Sequence, residues 1–235
     1  MKRTLPAIAL IAGLTLAGCS GGQDSGQAQD RSGGDAAPAA TEDAPQATQL
    51  DEATLKEILE STAAEGQAFK AIDTTAASGS EAMKALEKAG FEPSACKDLS
   101  MAALNAAEAS DKVTGVSDDN TLAVALVSLA DEDAAGSQLA ASTKVTEKCS
   151  DVTVKSQGIE MAMSFEPFDA EVAGADETVG VKATIDAGGQ TILNTNSISA
   201  RVGNNVVTAA NVVDVEESTV AKTAEAFVDA VANAG

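Results

Sequence analysis

Hydrophobic positions along the chain change their period three times. Leu5 to Leu16 is an almost unbroken apolar run, and residues from Ser20 to about Thr48 include no large apolar side chain. From Leu50 the spacing becomes helical. Leu55, Ile58, Leu59, Thr62, Gly66, Phe69 and Ile72 fall on one face, with Asp51 and Glu52 at the positive end of the dipole, which predicts a first helix. Ser78-Gly79-Ser80-Glu81 reads as a capping box for a second, with Met83 and Leu86 inward and Gly90 as the stop. After Phe91-Glu92-Pro93 a third, Ala-rich helix is expected from Ser94 through Glu108, carrying Cys96, Leu99 and Leu104.

Beyond about Lys112 the period shortens. Thr121 to Leu129 is a Leu/Val/Ala run that suits a strand covered on both faces. Asp131-Glu132-Asp133 and Leu139 to Cys149 predict a helix, and Val152 and Val154 a short strand. Ile159, Met161, Met163 and Phe165 alternate with polar or small residues, as do Val179, Val181, Ala183 and Ile185 up to the turn Asp186-Ala187-Gly188-Gly189. Gln190 to Val202 predicts a long strand, returning after Gly203-Asn204 as Val206 to Val215. Glu216 to Ala232 closes as an amphipathic helix with Val220, Ala224, Phe227, Val228 and Val231 inward. Helices, then hairpin-linked strands, then a helix define an α+β fold. We expect a largely antiparallel sheet of about five to seven strands, helices packed on one face and one intradomain disulfide.

The start of the chain sets its organisation. Lys2 and Arg3, the apolar run and Leu16-Ala17-Gly18-Cys19 follow the layout of a secretory signal and resemble a bacterial lipoprotein signal, with Cys19 as the lipidated residue after cleavage. Residues 1–18 then form the signal peptide, 19–49 the lipidated cysteine and a disordered tether, and 50–235 the domain. As a flexible coil the tether spans roughly 30 Å. With Cys19 assigned, Cys96 and Cys149 remain as a pair. Outside the cytoplasmic membrane they read as a disulfide, closing a loop of about 54 residues worth roughly 4 kcal/mol on the chain-entropy model. Two buried free thiols or a redox pair are the alternatives, the latter without a Cys-x-x-Cys spacing.

Composition narrows the chemistry. A formal charge of −21 disfavours nucleic acid and anionic lipid as direct partners. The absence of histidine removes imidazole bases and His-ligated metals, and the absence of Trp and Tyr removes the usual stacking platforms for sugars. We expect no enzyme activity and no cofactor.

The lipobox, the acidic low-complexity run, a cysteine opening a helix and a second ending one before Asp151-Val152-Thr153-Val154 form a set with the late hairpin Arg201-Val202-Gly203-Asn204-Asn205-Val206-Val207. Together they resemble actinobacterial lipoproteins with a PknH-like extracellular sensor domain. That resemblance, over roughly Asp51 to Gly235, implies an α+β domain with a central antiparallel sheet and a cleft for an unknown ligand. The kinase version carries two disulfides where this sequence offers only Cys96 with Cys149.

Several motifs imitate active sites. Ser94-x-x-Lys97, Ser117-Asp118-Asp119-Asn120 and Lys222-Thr223-Ala224 follow the order of penicillin-recognising enzymes, but the second carries an extra Asp and the third lacks its Gly. Asp131-x-Asp133 with Gly136 begins like a calcium loop, but Ala135 and Ser142 stand at ligand positions. The late hairpin carries the candidate site. Asn194 and Asn196 share a face with Ile198 and Ala200, Thr195 through Arg201 alternate on the other, and Asn211 lies on the neighbouring strand. Arg201, Asn194, Asn196 and Asn211 are the expected ligand-binding residues, with Arg201 meeting an anionic group. The expectation is a lipid-anchored extracytoplasmic binding protein of the cell envelope, its partner a small envelope ligand or an envelope protein. The alternatives are an interaction subunit without a small-molecule site and a lipid carrier.

Overall fold

The computed structural model describes residues 49–73, 87–99, 110–156 and 158–234. The signal peptide, Cys19, the tether up to residue 48, the Ser78–Glu81 capping box and the third helix beyond residue 99 lie outside the described residues.

The first described residues form a clasp. Leu50 is buried and its N–H donates to Ser128 Oγ at 2.8 Å. Helix α1 (Glu52–Ser61) follows, with Asp51 Oδ1 accepting the Thr54 N–H and Leu55, Ile58 and Leu59 buried. The helix is shorter than the apolar spacing predicts. Glu65 and Gly66 take positive φ of 51° and 77°, so the chain reverses into the hairpin β1 (Ala63–Ala64) and β2 (Gln67–Ala71). Phe69 is thus buried from a strand instead of a helix. A residue every third or fourth place does not reveal the turn inside the run.

Strands β3 (Gly90–Glu92), β4 (Asp111–Ser117) and β5 (Leu122–Ser128) come next, then α2 (Glu132–Lys148), capped by Asp131. Strands β6 (Asp151–Ser156), β7 (Ile159–Phe168), β8 (Glu177–Ala187), β9 (Gln190–Val202) and β10 (Asn205–Asn211) lead to α3 (Glu217–Ala232). Among the described residues ten strands, more than the expected five to seven, form one sheet in the order β1-β2-β4-β5-β10-β9-β8-β7-β6-β3. Every pairing in it is antiparallel.

The helices do not share one face. Successive residues of a strand point to opposite sides. In β10, Val207 and Ala209 join α1 and α3 residues in the main core, while Val206 packs with Ala135 and Leu139 of α2. Helix α2 therefore covers the opposite face, joined there by the 95–99 helical turn through Cys96. The two cysteines form the expected disulfide, with Cα atoms 5.8 Å apart and both residues buried. In the main core, Phe69 meets Phe227 of α3 edge to face at 5.1 Å. Gly115 lets α1 close on the sheet, because a Cβ there would lie 2.5 Å from Leu59 Cδ2 and 2.8 Å from the Lys70 carbonyl.

Candidate functional site

Three of the four expected ligand residues, Asn194, Asn196 and Asn211, meet where β10 ends, and Arg201 stands apart from them. Arg201 lies on the α2 face, as the pairing Val206↔Arg201 requires, whereas Asn194 and Asn196 point to the opposite side with Ile198 and Ala200. Its guanidinium is committed to its own chain. Nη1 donates to Asp176 Oδ2 and to the Gly203 carbonyl, both at 3.3 Å, and Nε lies 3.7 Å from Glu177 Oε2. Asp176 also accepts the Gly203 N–H at 2.8 Å. Arg201 is therefore a clamp on the β9–β10 hairpin, and the anionic group it meets is internal.

Asn211 is structural too. It is buried where β10 ends. Its Oδ1 accepts the Asn196 N–H, and its Nδ2 donates to the carbonyls of Val213 at 2.8 Å and Asn194 at 3.4 Å. The side-chain amide imitates a peptide and adds a rung to the ladder.

Asn194 and Asn196 remain on the surface of a polar sheet face, and Asn196 Oδ1 is buried without a hydrogen-bond partner among the described residues. Cross-strand pairing places Lys182 opposite Asn196 and Glu166 opposite Lys182. The adjoining row is Asp151, Ser164, Thr184 and Asn194. All seven are exposed or half-buried, so this patch of β6 to β9, which ends where α3 covers Ile198 and Ala200, carries no described helix. Lys182 is half-buried and forms no ion pair among the described residues.

Sequence reasoning missed Lys182, and a β-bulge explains why. Counting back from the Gly188-Gly189 turn puts Lys182 opposite Thr195, on the Arg201 side. A register shift at Ile185/Asp186, with Ile192 as the extra residue, moves it opposite Asn196. A one-residue slip exchanges the two faces.

At the hairpin tips an open hollow of about 550 Å³ is lined by Gly158, Ile159, Glu160, Ala162, Asp186, Gly188 and Gly189. Its carboxylates already have partners: Glu160 pairs with Lys155 at 3.3 Å, and Asp186 accepts from Thr191 Oγ1 at 2.6 Å.

The enzyme-like motifs dissolve into structural roles. Lys97 donates to the carbonyls of Glu87 and Ala89, Lys222 sits exposed on α3, and Ser117 is buried, donating to Asp119 at 2.7 Å. Hydrogen bonds from Ser117 and Thr121 hold the Asp119 carboxyl below its ordinary value, and the Thr54 N–H does the same for Asp51. Asp118 pushes the Lys70 ammonium up through a 2.6 Å hydrogen bond. Asp131 caps α2 through the Ala134 N–H at 2.7 Å, and no group of acidic or cysteine side chains suited to a metal occurs among the described residues.

No family model matches the chain, and no curated protein matches it. Among solved structures it is similar to the extracellular domain of PknH from Mycobacterium tuberculosis, at 16% identity over 79% of this chain and 98% of that one, with a TM-score of 0.48. It is also similar to an uncharacterized protein from Mycobacterium smegmatis, the Rv0999 ortholog, at 18% identity over 78% and 98% of the two chains, with a TM-score of 0.41.

Proposed function

We propose that the chain is a lipid-anchored, extracytoplasmic binding lipoprotein that recognises an envelope component by contact and carries out no chemistry on it. The observation that carries the reading is the cysteine arrangement. Cys96 and Cys149 pair, which suits an oxidising compartment, and Cys19 is left at the end of the lipobox. Lipid on Cys19 would hold the domain at the outer side of the membrane. No helix among the described residues is long and apolar enough to cross one.

The recognition surface on this reading is the polar face of β6 to β9, with Lys182 as its cation and Asn194 and Asn196 as its amides. Donors and acceptors alternate there on rigid strands, which suits positioned hydrogen bonding. An open sheet face favours a macromolecular partner over an enclosed small molecule, so the interaction-subunit alternative gains support. Two measurements test the proposal. A Cys19→Ala chain should leave the membrane fraction, and one that stayed there quantitatively would refute the anchor. Native mass spectrometry of the full chain should show any co-purified adduct lost in Lys182→Ala, and an adduct retained unchanged would remove the polar face from the reading.

A further inference from the structure

Strand β9 outruns its neighbour. Its 13 residues pair with β8 over almost their whole length, but β10 pairs only with residues 197–202. The Asn211 amide supplies one more rung, to Asn196 and Asn194, and the chain then turns away. Past that rung, no strand among the described residues pairs with this side of residues 190–195. Backbone groups alternate between the two sides of a strand. The Asn196 N–H points to the β10 side, so the N–H of Asn194 faces the same way, without a hydrogen-bond partner among the described residues.

Among the described residues this edge has only part of the usual protection. Soluble proteins blunt open edges with Lys, Pro, short strands or a bulge. From Gln190 to Asn196 there is no charge and no proline, in a chain of net charge −21. The bulge at Ile192 bends the edge but leaves residues 193–196 in regular pairing with β8. Apolar groups gather along it: Ile192 is 53% exposed, and Val212 and Val213, where β10 departs, are 43% and 48% exposed.

The surroundings select the occupant. The Val212 N–H donates to the Thr121 carbonyl, and Thr121 holds the Asp119 carboxylate, which brings that acid to the corner. Asp214 follows Val213, and Asp186 lies across from Thr191. Two copies meeting edge to edge would bring these acids together, and like charges oppose that. We propose that the open edge of β9 docks an extended, uncharged, β-forming segment of a partner protein with basic flanking residues. The segment adds as a strand antiparallel to β9, in line with β10.

The test uses the full chain and a fluorescent peptide of alternating valine and threonine flanked by lysines, read by anisotropy. The lysine-flanked peptide should bind. N-methylation at alternate positions, which removes main-chain donors from one edge, should weaken it about tenfold or more, as should Ile192→Lys. Thermal melts check that Ile192→Lys is folded, which its exposure allows. Glutamate flanks should weaken binding, most strongly at low salt. No binding, or binding indifferent to N-methylation, to Ile192→Lys or to the flanking charge, would overturn the proposal. So would a concentration-dependent dimer dissolved by Ile192→Lys, which would assign the edge to a second copy. Membrane release and adduct loss read the preceding proposal, and peptide binding reads this one, so either can fail alone.

Discussion

The half of the sheet formed by β4, β5 and β10 and the half formed by β6 to β9 share one ladder but not one environment. Strand β5 is buried at six of its seven residues and β10 at six of seven, because α1 and α3 cover one face and α2 reaches over the other. In β7 and β8 burial alternates, since only the side towards Cys96 and Cys149 is covered. The sequence difference is plain. Apolar residues at nearly every position draw a layer onto each face, and apolar residues at every second position leave one face to water. Stability is thus concentrated in one half, and the other half carries the proposed recognition face.

The largest test of that division is Phe227→Ala. Phe227 is fully buried against Phe69, and losing it should cost about 3–5 kcal/mol in denaturant unfolding. A cost below about 1 kcal/mol would contradict the assignment of the core. Next comes the double change Cys96→Ser with Cys149→Ser, which should destabilise by about 2–4 kcal/mol and lower the denaturation midpoint. It should loosen the β6–β8 side first, seen as faster amide exchange around Val152 and Val154, which share the disulfide's cluster.

Asn211→Ala stands at the join of the halves. It removes the acceptor of Asn196 and the donor to Asn194 and Val213, at a cost of about 1–3 kcal/mol, with faster exchange at the Asn196 amide. Asp119 gives a pH signature near the same corner. Its folded pKa is depressed, so its contribution is present above the unfolded carboxylate pKa and is lost as pH falls through the folded value. Asp119→Asn should therefore flatten the acid limb of a stability-versus-pH curve, and an unaltered limb would remove Asp119 from the account. The smallest effect belongs to Lys182→Ala on the open face, within about 0.5 kcal/mol by denaturation. A larger loss would mean that Lys182 is structural and the face is not free.

Much of this architecture was legible from residue period alone. Strand β9 has the bounds read from the sequence, β5, β7 and β8 fall where alternation or a continuous run placed them, and α3 buries the five residues expected. The β1–β2 hairpin was hidden, since Phe69 keeps helical spacing from Leu55, Ile58 and Leu59 while Glu65 and Gly66 turn the chain. The placement of α2 on the second face was hidden because its buried stripe mixes Ala135 and Leu139 with Gln138, Ser142 and Thr146. At the candidate site the amides were found but their partners were not. Local pattern names the residues of a face, whereas the bulge at Ile192 decides which strand neighbours join them, and a bulge leaves no periodic trace. Arg201 misled for a related reason. Its acids, Asp176 and Glu177, lie 25 and 24 positions upstream and meet it only once β8 pairs with β9.

The clasp between Leu50 and Ser128 gives the molecule a pole. Ser128 pairs with Asn205, and Asn205 with Val202, so the chain enters beside the last residue of β9. The Gly188-Gly189 turn lies at the other end of that strand, 13 residues away, or roughly 40 Å at about 3.3 Å per residue. Reach is therefore built into the fold. Whatever holds the chain by its entry point, the hairpin tips are carried at the far end of a stiff arm, and the stretch of β9 that outruns β10 is carried there with them.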